Sequence, residues 1–362
     1  MEDLRVSNEI VIQSHKGPYN VYFEENALAN LNENVPEYAH FIIDKKVAEL
    51  YKDEMKNILA HRSVLLIEAK ETNKSLDKFP DYVQHFVNNS LRRDNIFIAI
   101  GGGIIQDITC FLAATMLRGV DWRFYPTTLL AQSDSCIGSK SSINAGNTKN
   151  ILGTFTPPKA VYISGKFLDT LEEKELLSGV GEMLKVHVID GAESYDLIAD
   201  EYDRIFKEGG VMLKYIRRSL EIKKRYIEKD EFDQNIRNIF NYGHTFGHAI
   251  EAATNFGIPH GIAVTIGMDM ANYTAMKMGI TREQHFQRMH ASLKKNYSSF
   301  SQYDVPLDSF LSAISKDKKN VGVSNVTLIL VDEGAKVFKN NYPNDETFKT
   351  ICNNYLTEIR QQ

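Results

Sequence analysis

The sequence predicts an α/β domain followed by a mostly α-helical domain. Three observations carry this prediction. Short apolar runs alternate with helix-length segments through the first half of the chain. One of those runs passes directly into Gly101-Gly102-Gly103. After about Leu171 the pattern changes to long segments with helical apolar spacing.

The elements follow in order. Residues 41–43 end at Asp44, and residues 64–67 end near Glu68. Residues 96–100 run into the glycines. Phe124-Tyr125 leads to Pro126-Thr127-Thr128, and residues 160–163 follow Pro157-Pro158. Strands separated by helix-length segments indicate a largely parallel sheet. Beyond it, residues 172–189, 212–227, 240–253 and 264–278 read as helices. Residues 326–331 read as a strand, with Asp332-Glu333-Gly334 as a turn and residues 335–338 returning. The domains are placed at 1–172 and 173–362, with no internal repeat.

Composition narrows the function classes. The chain has 362 residues, enough for two domains. Hydrophobic residues make up 43%, so a core can form without covalent staples. The net charge of −5 argues against a nucleic-acid partner but leaves room for a locally basic pocket. Three cysteines, Cys110, Cys136 and Cys352, do not make a disulfide framework. The N-terminal MEDLRVSNEI lacks a signal-peptide pattern, and no apolar run reaches the ~18–20 residues of a membrane span. The expected location is the cytoplasm, with no membrane partner.

Two motifs carry chemistry. The run Ile98-Ala99-Ile100-Gly101-Gly102-Gly103-Ile104-Ile105-Gln106-Asp107 reads as strand, glycine turn and helix. Glycine lets a diphosphate approach the backbone, and a helix N-terminus offers free N–H groups. The run is not GxGxxG, and a tight turn without ligand has the same pattern. The second motif is Asn241-Tyr242-Gly243-His244-Thr245-Phe246-Gly247-His248-Ala249-Ile250-Glu251, followed by His260-Gly261. Three of the ten histidines fall here. His244 and His248 share a helix face, and imidazoles with a carboxylate suit zinc and its neighbours. Buried, hydrogen-bonded histidines without metal would look the same. A carboxylate partner is available at Glu182, on a predicted helix where Lys185 shares its face. Spacing alone equally allows a surface ion pair there.

Taken together, residues 101–107, Arg118-Gly119, 126–132, Asp134-Ser135, Lys140, Lys149-Asn150, 181–185, Glu221-Ile222-Lys223, Arg237, 241–251 and His260-Gly261 resemble the 3-dehydroquinate synthase family, within the sugar phosphate cyclases. The resemblance runs from about residue 40 to about residue 330. It implies an NAD-binding α/β domain and a helical domain that binds metal. It implies Glu182, His244 and His260 as metal ligands, with His248 moved to the substrate side. Zinc is the expected metal, and cobalt can serve. NAD contacts are implied at Asp44, Glu71, Lys74, Gly102, Gly103, Asp107, Thr127, Thr128, Lys140, Lys149, Phe167 and Thr170. The implied substrate pocket uses Asp134, Lys140, Asn150, Lys185, Lys223, Arg237, Asn241, His248 and one of Lys318 and Lys319. Arg118 is expected to reach a neighbouring subunit, which implies a homodimer.

The implied reaction converts 3-deoxy-D-arabino-heptulosonate 7-phosphate, a seven-carbon sugar-acid phosphate, to 3-dehydroquinate, on the shikimate route to aromatic amino acids. NAD oxidises a hydroxyl transiently, phosphate is eliminated, the ketone is reduced again, and an intramolecular aldol step closes the ring. Metal coordination acidifies the hydroxyl and polarises the ketone. Fixed cations hold the phosphate and the carboxylate, and arginine can do so in bidentate fashion.

The chain departs from the family pattern in several places. Gly138-Ser139-Lys140 replaces Gly-Gly-Lys, and Asn144-Ala145-Gly146 replaces Asn-His-Pro. Gln106 stands for a glycine, Ile262 follows His260-Gly261 in place of glutamate, and Lys46 replaces an asparagine. These changes flank chemical groups without deleting one. The alternatives are a cyclase acting on sedoheptulose 7-phosphate or glucose 6-phosphate, and a metal-dependent polyol dehydrogenase. Arg237 and Lys223 favour the carboxylate-bearing substrate.

Overall fold

The computed structural model describes residues 8–146, 148–316, 320 and 324–361. The chain divides into two compact units. One is Met1–Leu171 with Lys223–Asp233, and the other is Glu172–Ile222 with Gln234–Gln362. The first unit therefore takes in the segment Lys223–Asp233 from within the later, helical part of the chain.

The first unit contains β1 (Glu9–Ile12), β2 (Tyr19–Phe23), β3 (Ala39–Asp44), β4 (Val64–Ile67), β5 (Ile96–Gly101), β6 (Asp121–Pro126), β7 (Lys140–Ala145), β8 (Thr148–Phe155) and β9 (Ala160–Ile163). Seven of these form one sheet in the order β1-β2-β9-β6-β5-β3-β4. β1 and β2 pair antiparallel, and every other neighbour in this sheet pairs parallel. β5 is buried at every position and β3 at all but its last. A sheet covered on both faces needs continuous apolar runs, which is why these two strands stand out in the sequence. Phe41, Ile43, Ile98 and Ile100 pack with Tyr51 and Phe167 in one core.

Chain direction across the sheet reverses between β3 and β5, since β4 lies on one side and β5, β6 and β9 on the other. Open α/β sheets take ligands beyond the carboxyl ends of the strands at such a switch point. Asp44 ends β3 there, and Gly101 ends β5.

The expected strands are present, and two hairpins were not anticipated. β1 and β2 turn through Gly17, at φ +97°. β7 and β8 pair antiparallel, with the chain reversing between Ala145 and Thr148. β8 is exposed at nearly every position, its apolar residues Ile151 and Leu152 included.

The second unit is organised around the helix His260–Lys277, which is buried from Gly261 to Ala275. A helix apolar all round belongs in a core. The helix Glu173–Asp190 crosses it closely. A Cβ on Gly181 would collide with the Gly261 carbonyl oxygen, and a Cβ on Gly261 with that of Ser178. The expected helix over 240–253 is interrupted: a 3-10 turn, Ile236–Asn241, ends before Gly243. Gly243 adopts φ +77°, which glycine reaches without steric cost. His244 therefore opens the helix His244–Ala253. The late hairpin is β10 (Asn325–Val331) with β11 (Val337–Pro343). Among the described residues, no helix is long and apolar enough to cross a membrane.

Candidate metal and cofactor sites

The histidine stretch forms one cluster in the second unit. His244 and His260 each open a helix, and Glu182 lies midway along Glu173–Asp190. The Gly181–Gly261 crossing brings that helix against the start of His260–Lys277. Glu182 Oε1 lies 3.7 Å from His244 Nε2 and 3.5 Å from His260 Nε2. The opposite ring nitrogens are engaged: His244 Nδ1 faces the Tyr242 carbonyl oxygen at 3.2 Å, and His260 Nδ1 faces Glu251 Oε2 at 3.2 Å. An Nδ1–H donated to each acceptor would leave the lone pair on each Nε2, the nitrogen nearer Glu182. Two imidazoles held from behind and one carboxylate form the usual arrangement around a metal.

Glu182 supplies a test of fit. Its side chain is 2% exposed, and Oε2 pairs with Lys185. Oε1 is buried and has no hydrogen-bond partner among the described residues. A buried carboxylate oxygen without a partner is costly, and a divalent cation between it and the two imidazoles would remove that cost. The Glu182–Lys185 pair is thus buried, not the surface pair that spacing allowed. Burial lowers the His260 pKa, but the Glu251 hydrogen bond and the Glu251 and Glu182 charges outweigh it, for a net rise.

His248 is exposed, one turn after His244, with ring centroids 5.2 Å apart. Donor nitrogens of His244, His248 and His260 also fall within 4.8 Å of one another, so His248 reaches the same space. Glu182 offers that space a buried oxygen without a hydrogen-bond partner among the described residues, whereas His248 faces solvent. Arg237 is buried on the 3-10 turn, and Asn241 Nδ2 donates to the Asn238 carbonyl at 3.2 Å. Lys185 Nζ also lies 5.9 Å from the centre of the Phe240 ring.

The first unit gathers the other candidates. Gly102 caps the helix Gly103–Thr115, and a Cβ there would press on Thr128 Cγ2 at 2.9 Å. Gly103 has only Ser135 Oγ nearby, at 3.9 Å from such a Cβ. Bare backbone ahead of a helix N-terminus suits an anionic group. Thr127 N donates to the Gly101 carbonyl at 3.0 Å, and Thr128 Oγ1 accepts from Ala131 N at 3.2 Å. Asp107 Oδ1 accepts from Ser142 N at 2.9 Å, and Oδ2 from Lys74 Nζ at 3.0 Å. Burial raises the Asp107 pKa, opposed by Lys74.

Lys74 also donates to Asn150 Oδ1 at 2.9 Å and lies 3.6 Å from Glu71 Oε1. Asn144 bridges the same group, donating to Glu71 Oε1 at 2.8 Å and accepting from Asn150 N at 2.9 Å. Lys149 is exposed beside Asn150. Asp44 accepts from Lys46 N at 3.0 Å and so caps the helix Lys45–Leu50. Phe167 is 2% exposed, and its ring packs 5.3 Å from that of Tyr51. Thr170 Oγ1 meets the Tyr51 hydroxyl at 3.0 Å.

Asp134 and Lys223 form a pair, with Nζ 3.0 Å from Oδ1 and 2.5 Å from the Asp134 carbonyl oxygen. Lys140 is exposed and pairs with Asp233. Arg118 is exposed in a run of left-handed backbone, with Leu117, Arg118 and Gly119 at φ +52°, +66° and +133°. Lys318 and Lys319 lie outside the described residues.

Sequence reasoning missed Glu251, Asn144 and Asp233. Glu251 ended the quoted motif, and its distance from His260 gave no signal. Asn144 and Asp233 act across a hairpin and a segment whose pairing only the fold determines.

The chain is also similar to known proteins. Residues 64–178 match the family model for the 3-dehydroquinate synthase N-terminal region, and residues 179–320 that for the C-terminal region. A 3-dehydroquinate synthase of a Thermoanaerobacter species is 36% identical over 322 residues, 86% of this chain and 90% of that protein. One from Acetivibrio thermocellus is 39% identical over 269 residues, 74% of each chain. Among solved structures, 2-deoxy-scyllo-inosose synthase complexed with carbaglucose-6-phosphate, NAD+ and Co2+ aligns with a TM-score of 0.84 at 22% identity, covering 97% of this chain and 99% of that one. A 2-epi-5-epi-valiolone synthase from Streptomyces hygroscopicus, with NAD+ and Zn2+ bound, gives 0.80 at 24% identity, covering 93% and 96%. These structural likenesses bear on the fold. An iron-containing alcohol dehydrogenase is more distant, at 0.59 and 15%. Both family regions, matched in order, and relatives at this identity over most of the chain place it in the 3-dehydroquinate synthase family.

Proposed function

We propose that this cyclase acts on 3-deoxy-D-arabino-heptulosonate 7-phosphate and releases 3-dehydroquinate and phosphate, using NAD and a divalent metal. The observation that carries the reading is the buried, unpartnered Glu182 oxygen facing two back-held imidazoles. Glu182, His244 and His260 hold the metal, and residues 101–103 with Lys74 and Asp107 receive NAD. When bound, the metal supplies Lewis-acid polarisation at a carbinol or ketone, and NAD supplies a reversible hydride acceptor.

The chain's own residues do the rest. Lys185 holds one Glu182 oxygen, so the carboxylate keeps a single orientation. The exposed His248 imidazole is placed to hydrogen-bond a phosphate oxygen and move a proton there. Arg237 can grip a carboxylate in bidentate fashion. Lys223 and Lys140 each rest on a carboxylate, Asp134 and Asp233, which keeps these cations positioned before substrate arrives. Asn150, Asn241 and one late lysine, Lys318 or Lys319, complete the polar set. The metal is zinc, with cobalt a working substitute, and the enzyme acts as a cytoplasmic homodimer with Arg118 serving the neighbouring subunit.

A substrate panel tests this reading. The sugar-acid phosphate, sedoheptulose 7-phosphate and glucose 6-phosphate are each incubated with enzyme, NAD and zinc, and phosphate release is measured. Release from the first alone is expected. Release only from a sugar phosphate lacking the carboxylate would replace the substrate while keeping the reaction class. Net NADH formation from a simple polyol, without phosphate release, would point to a dehydrogenase.

A further inference from the structure

The turn that carries Asp134 has an unusual backbone and an unusual support. Residues Ala131–Ser135 form a π-helical turn, closed by Cys136 N donating to the Ala131 carbonyl at 3.0 Å. Such wide turns recur at functional sites, and they need outside partners to persist. One partner is Gln132, whose buried amide donates to the Pro126 and Ser164 carbonyls at 3.0 and 2.9 Å. The other is Gln106, on the first turns of the helix that follows the glycines. Its Nε2 donates to the Ser135 carbonyl at 2.6 Å, while the Ser135 hydroxyl donates to its Oε1 at 2.6 Å. Gln106 is 7% exposed, so water competes little for either bond.

We propose that Gln106 is a positioning residue that pins the Asp134–Ser135 turn to the glycine-loop helix. The proposal rests on the reading above, in which that loop receives NAD and Asp134 belongs to the substrate pocket. Two reciprocal bonds to one residue fix both translation and rotation of the turn. They set the Ser135 hydroxyl beside Gly103 and, one residue earlier, the Asp134 carboxylate against Lys223. The cofactor loop and the Asp134 carboxylate thereby move as one body. Among the described residues no backbone–backbone hydrogen bond joins these two segments, so in this chain the Gln106 side chain supplies the link.

Gln106→Met keeps the size and removes both bonds. Gln106→Glu keeps the acceptor and replaces the donor with an oxygen that faces the Ser135 carbonyl. In full-length enzyme, NADH affinity by fluorescence titration and kcat for phosphate release are each expected to fall about tenfold in Gln106→Met. Bound metal stays as in the wild type. In Gln106→Glu the loss relative to wild type shrinks as pH falls, because a protonated carboxyl can again donate to the carbonyl. Combined with Ser135→Ala, the Gln106→Met effect is expected to be less than additive. Unchanged NADH affinity in Gln106→Met, a pH-independent Gln106→Glu loss, or strict additivity overturns the pin. A wild type that binds no NADH overturns the cofactor reading and the pin with it. If Gln106→Met does not fold, the Gln106→Glu pH profile decides alone.

Discussion

The two candidate sites are built by opposite strategies. In the second unit, Glu182, His244 and His260 sit on three helices; close approach at Gly181 and Gly261 joins the first to the third, and close approach at Gly247 and Gly267 joins the second to the third. Their geometry is set by packing, and the side chains only finish it. In the first unit, Glu71 and Lys74 sit on a short 3-10 turn, Asp107 on the helix after the glycines, and Asn144 and Asn150 on the β7–β8 hairpin. There a polar network of side chains sets the geometry. The comparison teaches where each site is brittle. Packing-built sites fail on a change of one methyl group, and network-built sites fade bond by bond.

The largest expected effect tests the packed site at its centre. Glu182→Gln should abolish metal-dependent turnover and strip bound metal, read by metal analysis after dialysis; full metal retention would remove Glu182 from the ligand set. Next comes the carboxylate behind His260. Glu251→Gln should weaken metal affinity by about 10- to 100-fold in a competition titration, and an unchanged affinity would show that His260 needs no such support.

Stability separates the regions further. Gly181→Ala forces a methyl onto the Gly261 carbonyl and should destabilise the protein by about 1–3 kcal/mol in denaturant unfolding. A pH scan probes the same helix through His187, which is fully buried with Nδ1 on the Met183 carbonyl at 2.8 Å. Burial pulls its pKa down from 6.5 to about 4. Below pH 6.5 the unfolded chain takes up a proton that the folded chain refuses until about pH 4. Stability should therefore drop across that window, by up to about 3 kcal/mol, and then level off. His187→Leu should flatten this slope.

The smallest effect belongs to the network. Asn144→Ala removes the bridge between Glu71 and Asn150, and should weaken NADH binding by about 1 kcal/mol without touching metal content. A loss as severe as that of Glu182→Gln would erase the contrast between the two regions.

The sequence made the main elements legible because a two-sided parallel sheet writes unbroken apolar runs. Ile96–Gly101 and residues 41–43 within β3 are of this kind, and both lie in strands. The helix break before His244 was harder. Gly243 looked like one more helical residue, yet it has a left-handed φ, and a Cβ there would collide with Val264 and Met268. β8 carries its apolar residues outward, with Ile151 50% exposed, so periodicity offered no alarm.

By itself the sequence determined residue types, their order, and the local elements that hydrophobic spacing imposes. It therefore contained the glycine turn, the paired histidines, and the string of motifs that marks the family. Only the tertiary structure decided which groups meet. Glu182 joined His260 because two glycines let their helices touch. Glu251 turned to His260, Asp233 to Lys140, and Gln106 to Ser135, all across separations that spacing rules do not reach. The physical reason is range. Propensity and periodicity act within a turn or a strand, whereas ligand geometry depends on packing between segments far apart in the chain.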